Sequence, residues 1–237
     1  MGHSAKSTAA LIIPALNEEA VIGQTLGSIP DGLFSHVIVV DNGSTDGTSD
    51  TARAAGAIVL RQPEIGYGAA CLEALKSLPD GVEIMVFMQA DGSEDPAEAR
   101  NLLAPLLDGR ADLVLGSRVM GKVDAGALLP HQRFGNWLAT RLIRLIYGHH
   151  YTDLGPFRAI RVKALRELGM RDRNYGWTVE MQVRAVQQRL RVMELPVSYG
   201  LRKAGENKVS GNLLASVRAG VKILWVVGRL GLSATFR

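Results

Sequence analysis

The feature that most constrains the fold is the alternation of short apolar runs with helical patterns through the first half of the chain. The runs are continuous and bounded by Gly, Pro or Asp, as expected for strands buried on both faces of a parallel sheet. We therefore predict an α/β fold with an open, mostly parallel central sheet flanked by helices. The predicted strands are 9–13, 36–40, 57–60, 83–88 and 112–115, and the predicted helices between them are 18–28, 45–55, 67–78 and 96–107.

The second half of the chain is less regular. It carries predicted helices at 131–147, 163–168, 176–189 and 212–228, a strand at 191–199, a polar loop at 148–158 and a basic loop at 201–210. With 237 residues, 47% of them hydrophobic, the chain suits one large domain with an extension.

Polar clusters follow three of the predicted strands, at 14–19, 41–48 and 89–91. Open α/β sheets bind ligands at the carboxyl ends of their strands, so we expect the site there. In the third cluster Asp91 is a candidate ligand of Mg²⁺ or Mn²⁺, because such ions prefer carboxylate and phosphate oxygens. The next acids, Glu94 and Asp95, are interpreted as residues that favour the start of the following helix.

Two further segments allow a structural and a functional interpretation. Asp41 could accept hydrogen bonds from a base or ribose, or Ser44 or Thr45 could simply cap the next helix. The small residues at 66–70 open a helix and would let a ligand approach the backbone, or they form only a turn. No Gly-x-Gly-x-x-Gly follows the first strand, so the dinucleotide fingerprint is absent.

Charge and composition restrict the partners. A formal charge of +4 and a pI of about 9.4 favour anionic partners such as phosphates or a membrane surface. A nucleic-acid partner is not expected, since no basic groove with stacked aromatic residues is visible. Cys71 is the only cysteine, which excludes an internal disulfide. The first residues lack the apolar core of a secretory signal, so we expect a cytoplasmic protein, peripheral at the inner face of the membrane.

The polar clusters together resemble the motifs of glycosyltransferase family 2. The resemblance rests on 13–19, 40–48, 66–70 and 89–92, in this order and spacing. Later segments, at 116–118, 153–158 and 202–211, are similar to the dolichol-phosphate mannose synthase branch, and the match extends from about Leu11 to about Leu224. It implies a GT-A fold, which is Rossmann-like, and a nucleotide-sugar donor.

The resemblance also implies residue roles on the donor side. The residues that match donor-binding positions are Pro14, Ala15, Asn17, Glu18, Asp41, Gly68, Gln89, Ala90 and Asp91. Asp91 matches the last acid of the family's Asp-x-Asp metal motif, whereas Gln89 replaces the first acid. The implied cofactor is a divalent metal, Mg²⁺ or Mn²⁺, held by Asp91 and Gln89. We expect UDP-glucose rather than GDP-mannose as the donor.

On the acceptor side the resemblance implies a polyprenyl phosphate. The basic residues that match acceptor-phosphate positions are Arg118, Arg133, Arg202 and Lys208. Two helices carry stripes of basic residues with Trp, at 133–144 and 218–229, which suit the headgroup level of a membrane. Each helix could equally bury its apolar face in the core and turn its basic face to water.

The type of acceptor determines the chemistry. A phosphate oxygen is already ionised near neutral pH and can attack the anomeric carbon without a base, inverting it. A hydroxyl acceptor would need a base, for which Asp153 and Glu180 are the candidates. Asp91 is the third predicted catalytic residue, through the metal motif. Glu180 could instead pair with Arg184, and Asp153 could merely fix Arg158.

We therefore predict an inverting transferase that moves one sugar from a nucleotide-sugar to a polyprenyl phosphate. The alternatives are a transferase that acts on a soluble hydroxyl acceptor and a non-catalytic nucleotide-binding peripheral module. The predicted domain spans 8–210, with a nucleotide-sugar half at 8–118 and an acceptor half at 119–210. An amphipathic helix follows at 211–237.

Overall fold

One sheet of seven strands organises the protein. The structure, a computed structural model, describes residues 8–204 and 213–235. The strand order is β3-β2-β1-β4-β6-β5-β7. The strands are β1 (Ala9–Ala15), β2 (His36–Asp41), β3 (Ile58–Arg61), β4 (Ile84–Phe87), β5 (Leu113–Ser117), β6 (Arg158–Arg161) and β7 (Val192–Pro196). The predicted α/β fold with a mostly parallel sheet is confirmed.

Helices cover both faces of this sheet. They are α1 (Glu19–Gly27), α2 (Thr48–Ala54), α3 (Tyr67–Lys76), α4 (Ala99–Leu107), α5 (Pro130–Tyr147), α6 (Val162–Leu168), α7 (Trp177–Gln187) and α8 (Leu213–Thr235). A 3₁₀ turn at Pro96–Glu98 leads into α4. None of the helices in the described ranges is long and apolar enough to cross a membrane.

The apolar runs are continuous because successive side chains enter two different cores. In β1, Leu11 and Ile13 pack into the core beneath α1, α2 and α4, whereas Ala10 and Ile12 pack into the core beneath α3, α7 and α8. All four residues are fully buried. Alternating side chains of a strand that is covered on both faces must all be apolar, which produces the runs seen in the sequence.

The sequence did not predict β6, which reverses direction within the sheet. It pairs antiparallel with both β4 and β5, so that Arg158 lies opposite Phe87 and Leu115. The strand is only four residues long and has an arginine at each end, so it carries no apolar run. Its start lies at the carboxyl ends of β4 and β5, which brings the polar loop at 148–157 to the ligand-binding edge.

Several boundaries differ from the predicted ones, among them the start of α2 and the end of α8. α2 begins at Thr48, and neither Ser44 nor Thr45 caps it. Instead the Asp46 carboxylate accepts a hydrogen bond from the Thr48 backbone N–H at 3.1 Å, which releases 44–46 to form a loop at the strand ends. α8 continues to Thr235, seven residues beyond the predicted end at Gly228.

Candidate active site

A cavity of about 390 Å³ opens at the carboxyl ends of β1, β2 and β4, and we call it the donor cavity. Five residues of the predicted donor set line it: Pro14, Ala15, Glu18, Gln89 and Asp91. Their side chains meet because β1 and β4 are adjacent parallel strands that end at the same edge.

Asp91 is held in place by the turn that it begins. Its Oδ1 accepts hydrogen bonds from the Ser93 backbone N–H at 3.0 Å and from the Ser93 hydroxyl at 2.6 Å. The same hydroxyl lies 3.4 Å from Gln89 Oε1. The turn therefore sets a carboxylate and an amide oxygen side by side at the wall of the donor cavity.

The two acids after this turn have separate roles. Asp95 accepts from the Ala97 N–H at 2.9 Å and so favours the helix start, as predicted. The same interpretation is wrong for Glu94, which is buried and accepts from the Gln89 backbone N–H at 2.7 Å. Burial raises the pKa of Glu94 to about 8, although the bond from Gln89 opposes the shift. Glu94 thus supports the turn at 89–93, which we call the metal-motif turn, from inside the protein.

Arg202, predicted on the acceptor side, lines the donor cavity together with Arg118. Its guanidinium donates to the Glu18 carboxylate, and its second nitrogen lies 3.4 Å from Asp91 Oδ2. The chain at this point is anchored to the metal-motif turn, because the Lys203 N–H donates to the Asp91 carbonyl at 3.1 Å. The oxygen of Asp91 that faces the cavity therefore already meets a cation.

Four predicted donor residues support the walls instead of lining the cavity. Asn17 Oδ1 accepts from the Thr45 N–H at 2.8 Å, and the Ala90 carbonyl accepts from the Thr25 hydroxyl at 2.9 Å. Asp41 accepts from the Ser44 N–H at 2.8 Å and from the Ser49 hydroxyl. Burial raises the pKa of Asp41, but these hydrogen bonds outweigh it and lower the pKa overall.

Gly68, the fourth, meets protein rather than open space. A Cβ built on Gly68 would lie 2.1 Å from the Asp172 carbonyl oxygen, and one on Gly66 would lie 2.1 Å from that of Arg173. The Ala69 N–H donates to the same Arg173 carbonyl at 2.8 Å. The small residues at 66–70 thus let the loop before α7 close over the start of α3.

A second, larger cavity of about 720 Å³ adjoins the first, and we call it the acceptor cavity. Arg118 and Gln132 line both cavities. α5 contributes three basic side chains to the lining of the acceptor cavity, those of Arg133, Arg141 and Arg144. Its apolar walls come from Val119, Leu128 and Trp137. Arg133 therefore lines the same cavity as Arg118, whereas Lys208 lies outside the described residues.

Arg118 is the junction of the two cavities, and Asp153 holds it there. Arg118 donates from Nε and from NH2 to the two carboxylate oxygens of Asp153, both at 2.8 Å, in a bidentate pair. Burial lowers the pKa of Arg118, but the bond to Asp153 outweighs it and raises the pKa. The suggestion that Asp153 fixes Arg158 is wrong, because its partner is Arg118.

The guanidinium of Arg158 is fully buried and binds carbonyls instead. It donates to the carbonyls of Thr178 at 2.9 Å and of Gly155. Burial lowers its pKa. Through these bonds the first residue of β6 fixes the loop that carries Asp153.

Glu180 lies away from both cavities. Its Oε1 accepts from Arg184 at 2.8 Å, as the helical spacing suggested, and its Oε2 accepts from the Arg171 and Asp172 N–H groups. The side chain is 3% exposed, so all its accepting capacity is directed into the fold. Glu180 therefore holds the loop at 171–174 onto α7.

Tyr199 is a site residue that sequence reasoning missed. Its hydroxyl donates towards Gln89 Oε1 at 3.3 Å, and its ring lies under Arg118, with 5.2 Å from Cζ to the ring centroid. Burial raises the pKa of its hydroxyl. Its position just beyond β7 was the available signal, since polar residues after strand ends mark this edge. Other unpredicted lining residues of the donor cavity are Asn42, Tyr67 and Tyr175.

Comparison with known proteins identifies the family. Residues 10–169 match the sequence profile of Glycosyl transferase family 2. The chain belongs to glycosyltransferase family 2. A glycosyltransferase of Mycobacterium tuberculosis is 39% identical over 88% of this chain and 93% of its own length. An undecaprenyl-phosphate mannosyltransferase of Micrococcus luteus is 31% identical over 93% of this chain and 98% of its own length.

A solved structure supports the fold of this family 2 member. Glucosyl-3-phosphoglycerate synthase of Mycobacterium tuberculosis, crystallised with Mn²⁺, UDP-glucose and phosphoglyceric acid, aligns with a TM-score of 0.76. The alignment covers 95% of this chain and 80% of the synthase, at 24% identity. The predicted GT-A fold and the resemblance to the dolichol-phosphate mannose synthase branch are confirmed. The protein is a nucleotide-sugar-dependent glycosyltransferase, so the non-catalytic module is set aside.

Proposed function

We propose that this family 2 transferase moves one sugar from a nucleotide-sugar to a polyprenyl phosphate in a single inverting step. The observation that carries the proposal is that both candidate bases are already bound to other groups of the protein. Asp153 is held by both oxygens on Arg118, and Glu180 is bonded internally outside both cavities. Neither carboxylate is available to accept a proton from a hydroxyl acceptor, whereas an ionised phosphate needs no base.

The acceptor cavity supports an acceptor with a charged head and an apolar tail. Arg118 and Arg133 present cations, and Arg offers phosphate oxygens bidentate contacts. Trp137 is half exposed at 52% and, with Val119 and Leu128, supplies apolar surface beside those cations. The similarity to an undecaprenyl-phosphate mannosyltransferase points to the same class of acceptor.

The residues of the donor cavity fit a divalent metal whose remaining ligands would come from the nucleotide-sugar donor. Within the described residues no three His, Cys, Asp or Glu side chains group to hold a metal ion by themselves. Asp91 and Gln89 would supply two oxygens, and a diphosphate would supply the others. The proposal is supported by Asp91 Oδ2, which lies 3.4 Å from a guanidinium nitrogen of Arg202 and thus already faces a positive charge. When bound, Mg²⁺ or Mn²⁺ neutralises charge on the diphosphate leaving group.

The residues of the chain then have distinct parts. Glu18, Gln89 and Asp91 form the donor wall, and Arg118 lies between the leaving diphosphate and the incoming phosphate. Arg202, drawn towards Glu18 and Asp91, is placed to bind the donor's phosphates, so it serves the donor at least as directly as the acceptor. Lys208 remains a proposed acceptor-phosphate residue.

The proposed division of the chain is the one predicted from the sequence, although Tyr175, Tyr199 and Arg202 of the second half also line the donor cavity. We propose 8–118 as the nucleotide-sugar half, 119–210 as the acceptor half and 211–237 as the segment of the C-terminal amphipathic helix. The acceptor lies in a membrane, so we propose that the protein works from the cytoplasmic surface with α5 and α8 at the headgroup level. UDP-glucose is the proposed donor, and the UDP-glucose complex of the fold neighbour favours uracil as the base.

A soluble hydroxyl acceptor is the second candidate. It is favoured by the fold neighbour, whose crystals contain phosphoglyceric acid. For this acceptor Asp153 would have to leave Arg118 and act as the base.

The deciding experiment is sugar transfer from a panel of UDP- and GDP-sugars to undecaprenyl phosphate or to phosphoglycerate. Each pair is assayed with Mg²⁺, with Mn²⁺ and with a chelator. Transfer to the lipid phosphate supports the proposal and identifies the donor. Transfer to phosphoglycerate alone would move the acceptor to the hydroxyl class, and full activity in chelator would remove the metal.

A further inference from the structure

A third cavity, of about 310 Å³, lies between the loop at 171–174 and α8, and we call it the α8 cavity. It shares no lining residue with the acceptor cavity. Its charged lining residues are Arg171, Arg173, Lys222, Arg229, Asp172 and Glu180. Four cations minus two carboxylates leave the lining with a net charge of +2, although Arg173 also pairs with Glu64, which lies outside the lining.

Both carboxylates of this lining are committed to the protein. Asp172 accepts from the N–H groups of Asn174 and Gly176, at 2.9 and 3.1 Å, and pairs with Lys222 at 2.9 Å. Glu180 accepts from two backbone N–H groups of the same loop and from Arg184. The acids therefore shape the loop and position cations, and the excess charge at the mouth is positive.

A tryptophan lies at the mouth of the cavity between two of these cations. Trp225 is 49% exposed, with Lys222 Nζ at 4.8 Å and Arg229 Cζ at 4.7 Å from its ring centroid. One helical turn earlier, Val221 is 62% exposed. Basic groups around an aromatic ring, next to exposed apolar side chains, are typical of surfaces at the headgroup level of a bilayer.

Exposed apolar side chains are also present on the neighbouring helix. α5 packs against α8, where the Tyr147 hydroxyl donates to the Val227 carbonyl at 2.5 Å. Next to this contact Leu145 is 81% exposed and Ile146 is 45% exposed. An acidic protein partner would complement the cations of the α8 cavity, whereas these cations beside a tryptophan and exposed apolar side chains favour the headgroup level of a lipid surface.

We infer that the α8 cavity binds the phosphodiester headgroup of an anionic phospholipid, separately from the acceptor, and docks the enzyme on the membrane. A phosphodiester carries a single negative charge and accepts hydrogen bonds from Arg171, Lys222 and Arg229. The inference rests on the proposed function only in that both place the chain at a membrane.

The test is sedimentation with vesicles of phosphatidylcholine alone or mixed with phosphatidylglycerol, without any polyprenyl phosphate. We compare the full chain with Arg171→Gln/Arg229→Gln and with a control, Arg100→Gln/Arg110→Gln. The control removes two exposed arginines from α4 and its end, on the opposite face of the sheet. Each charge at an anionic surface contributes about a five-fold change in binding, so the first variant should bind on the order of 20-fold more weakly.

The expected result is a preference for anionic vesicles that the first variant loses and the control keeps. Equal losses in both variants would show a diffuse charge effect and overturn the inference, as would a wild type that does not distinguish the vesicles. Thermal stabilisation by inorganic phosphate without vesicle preference would assign the cavity to free phosphate and also overturn it. Should the double variant fail to fold, Arg171→Gln alone provides the same test with a five-fold effect.

Transfer in detergent to soluble polyprenyl phosphate separates this inference from the proposed function. The first variant should retain wild-type transfer there, because no membrane is present. A wild type that binds anionic vesicles but transfers no sugar would refute the polyprenyl phosphate acceptor and leave the α8 cavity as assigned.

Discussion

The donor and acceptor cavities share Arg118 yet are built differently. Around the donor cavity, polar side chains bind one another and the backbone, as Asn17 binds Thr45 and Ser93 binds Asp91. The acceptor cavity takes its charge from arginines on α5, among them Arg133, which is exposed. From this difference we expect the proposed donor to be recognised by preset hydrogen bonds and the proposed acceptor by charge and apolar surface.

Removing Arg118, which both cavities share, should abolish sugar transfer and also destabilise the fold. Arg118→Met leaves Asp153 buried without its cation, which should destabilise the protein by about 3–5 kcal/mol in urea denaturation. Arg118→Met/Asp153→Asn should recover most of that stability, because the buried charge is gone. Transfer should stay lost in both variants. Recovery of transfer in the double variant would show that Arg118 serves only the fold.

Asp91→Asn should affect the donor side alone. Replacing the only carboxylate of the metal motif should lower kcat by about two to three orders of magnitude, as for the loss of one transition-state contact. The thermal midpoint should change little, since Asn can accept the same hydrogen bonds from Ser93. Asp95→Asn is the matched control, four residues away, and should keep full transfer. Normal turnover by Asp91→Asn would remove the metal assignment.

Arg133→Gln should affect the acceptor side alone. Loss of one charged contact to a phosphate corresponds to about 1.5–3 kcal/mol, so the KM for polyprenyl phosphate should rise roughly 10- to 100-fold. The KM for the nucleotide-sugar should not change. Arg100→Gln, the same substitution on α4, serves as the control. A rise in the donor KM instead would contradict the separation of the two cavities.

Two substitutions of Tyr199 should separate small effects on the donor KM from small effects on the acceptor KM. Its hydroxyl faces the donor cavity, and its ring contacts Arg118. Tyr199→Phe removes a hydrogen bond to Gln89, worth about 0.5–1.5 kcal/mol, and should raise the donor KM two- to ten-fold. Tyr199→Leu should in addition raise the acceptor KM, since it removes the cation–π contact. Equal acceptor KM values for the two variants would argue against a role of the ring.

The sequence predicted the strand ends that border the donor cavity because the signals for them are local. Apolar runs locate the strand ends, and the fold brings Glu18 and Asp91 to one edge without further information. The pairing of Arg118 with Asp153 joins residues 35 positions apart and depends on β6, which has no apolar pattern. Glu94 was misinterpreted for a related reason, since its local position suits a helix start, whereas its burial depends on the surrounding fold.

The reversed strand also determines the size of the reaction space. Because β6 lies between β4 and β5, the ends of those strands are two strand spacings apart, about 10 Å. Asp91 follows one end and Arg118 follows the other. If β4 and β5 were direct neighbours, the gap would be about 5 Å, too narrow for a sugar ring and a phosphate side by side. A four-residue strand thus acts as the spacer between the proposed donor side and the proposed acceptor side.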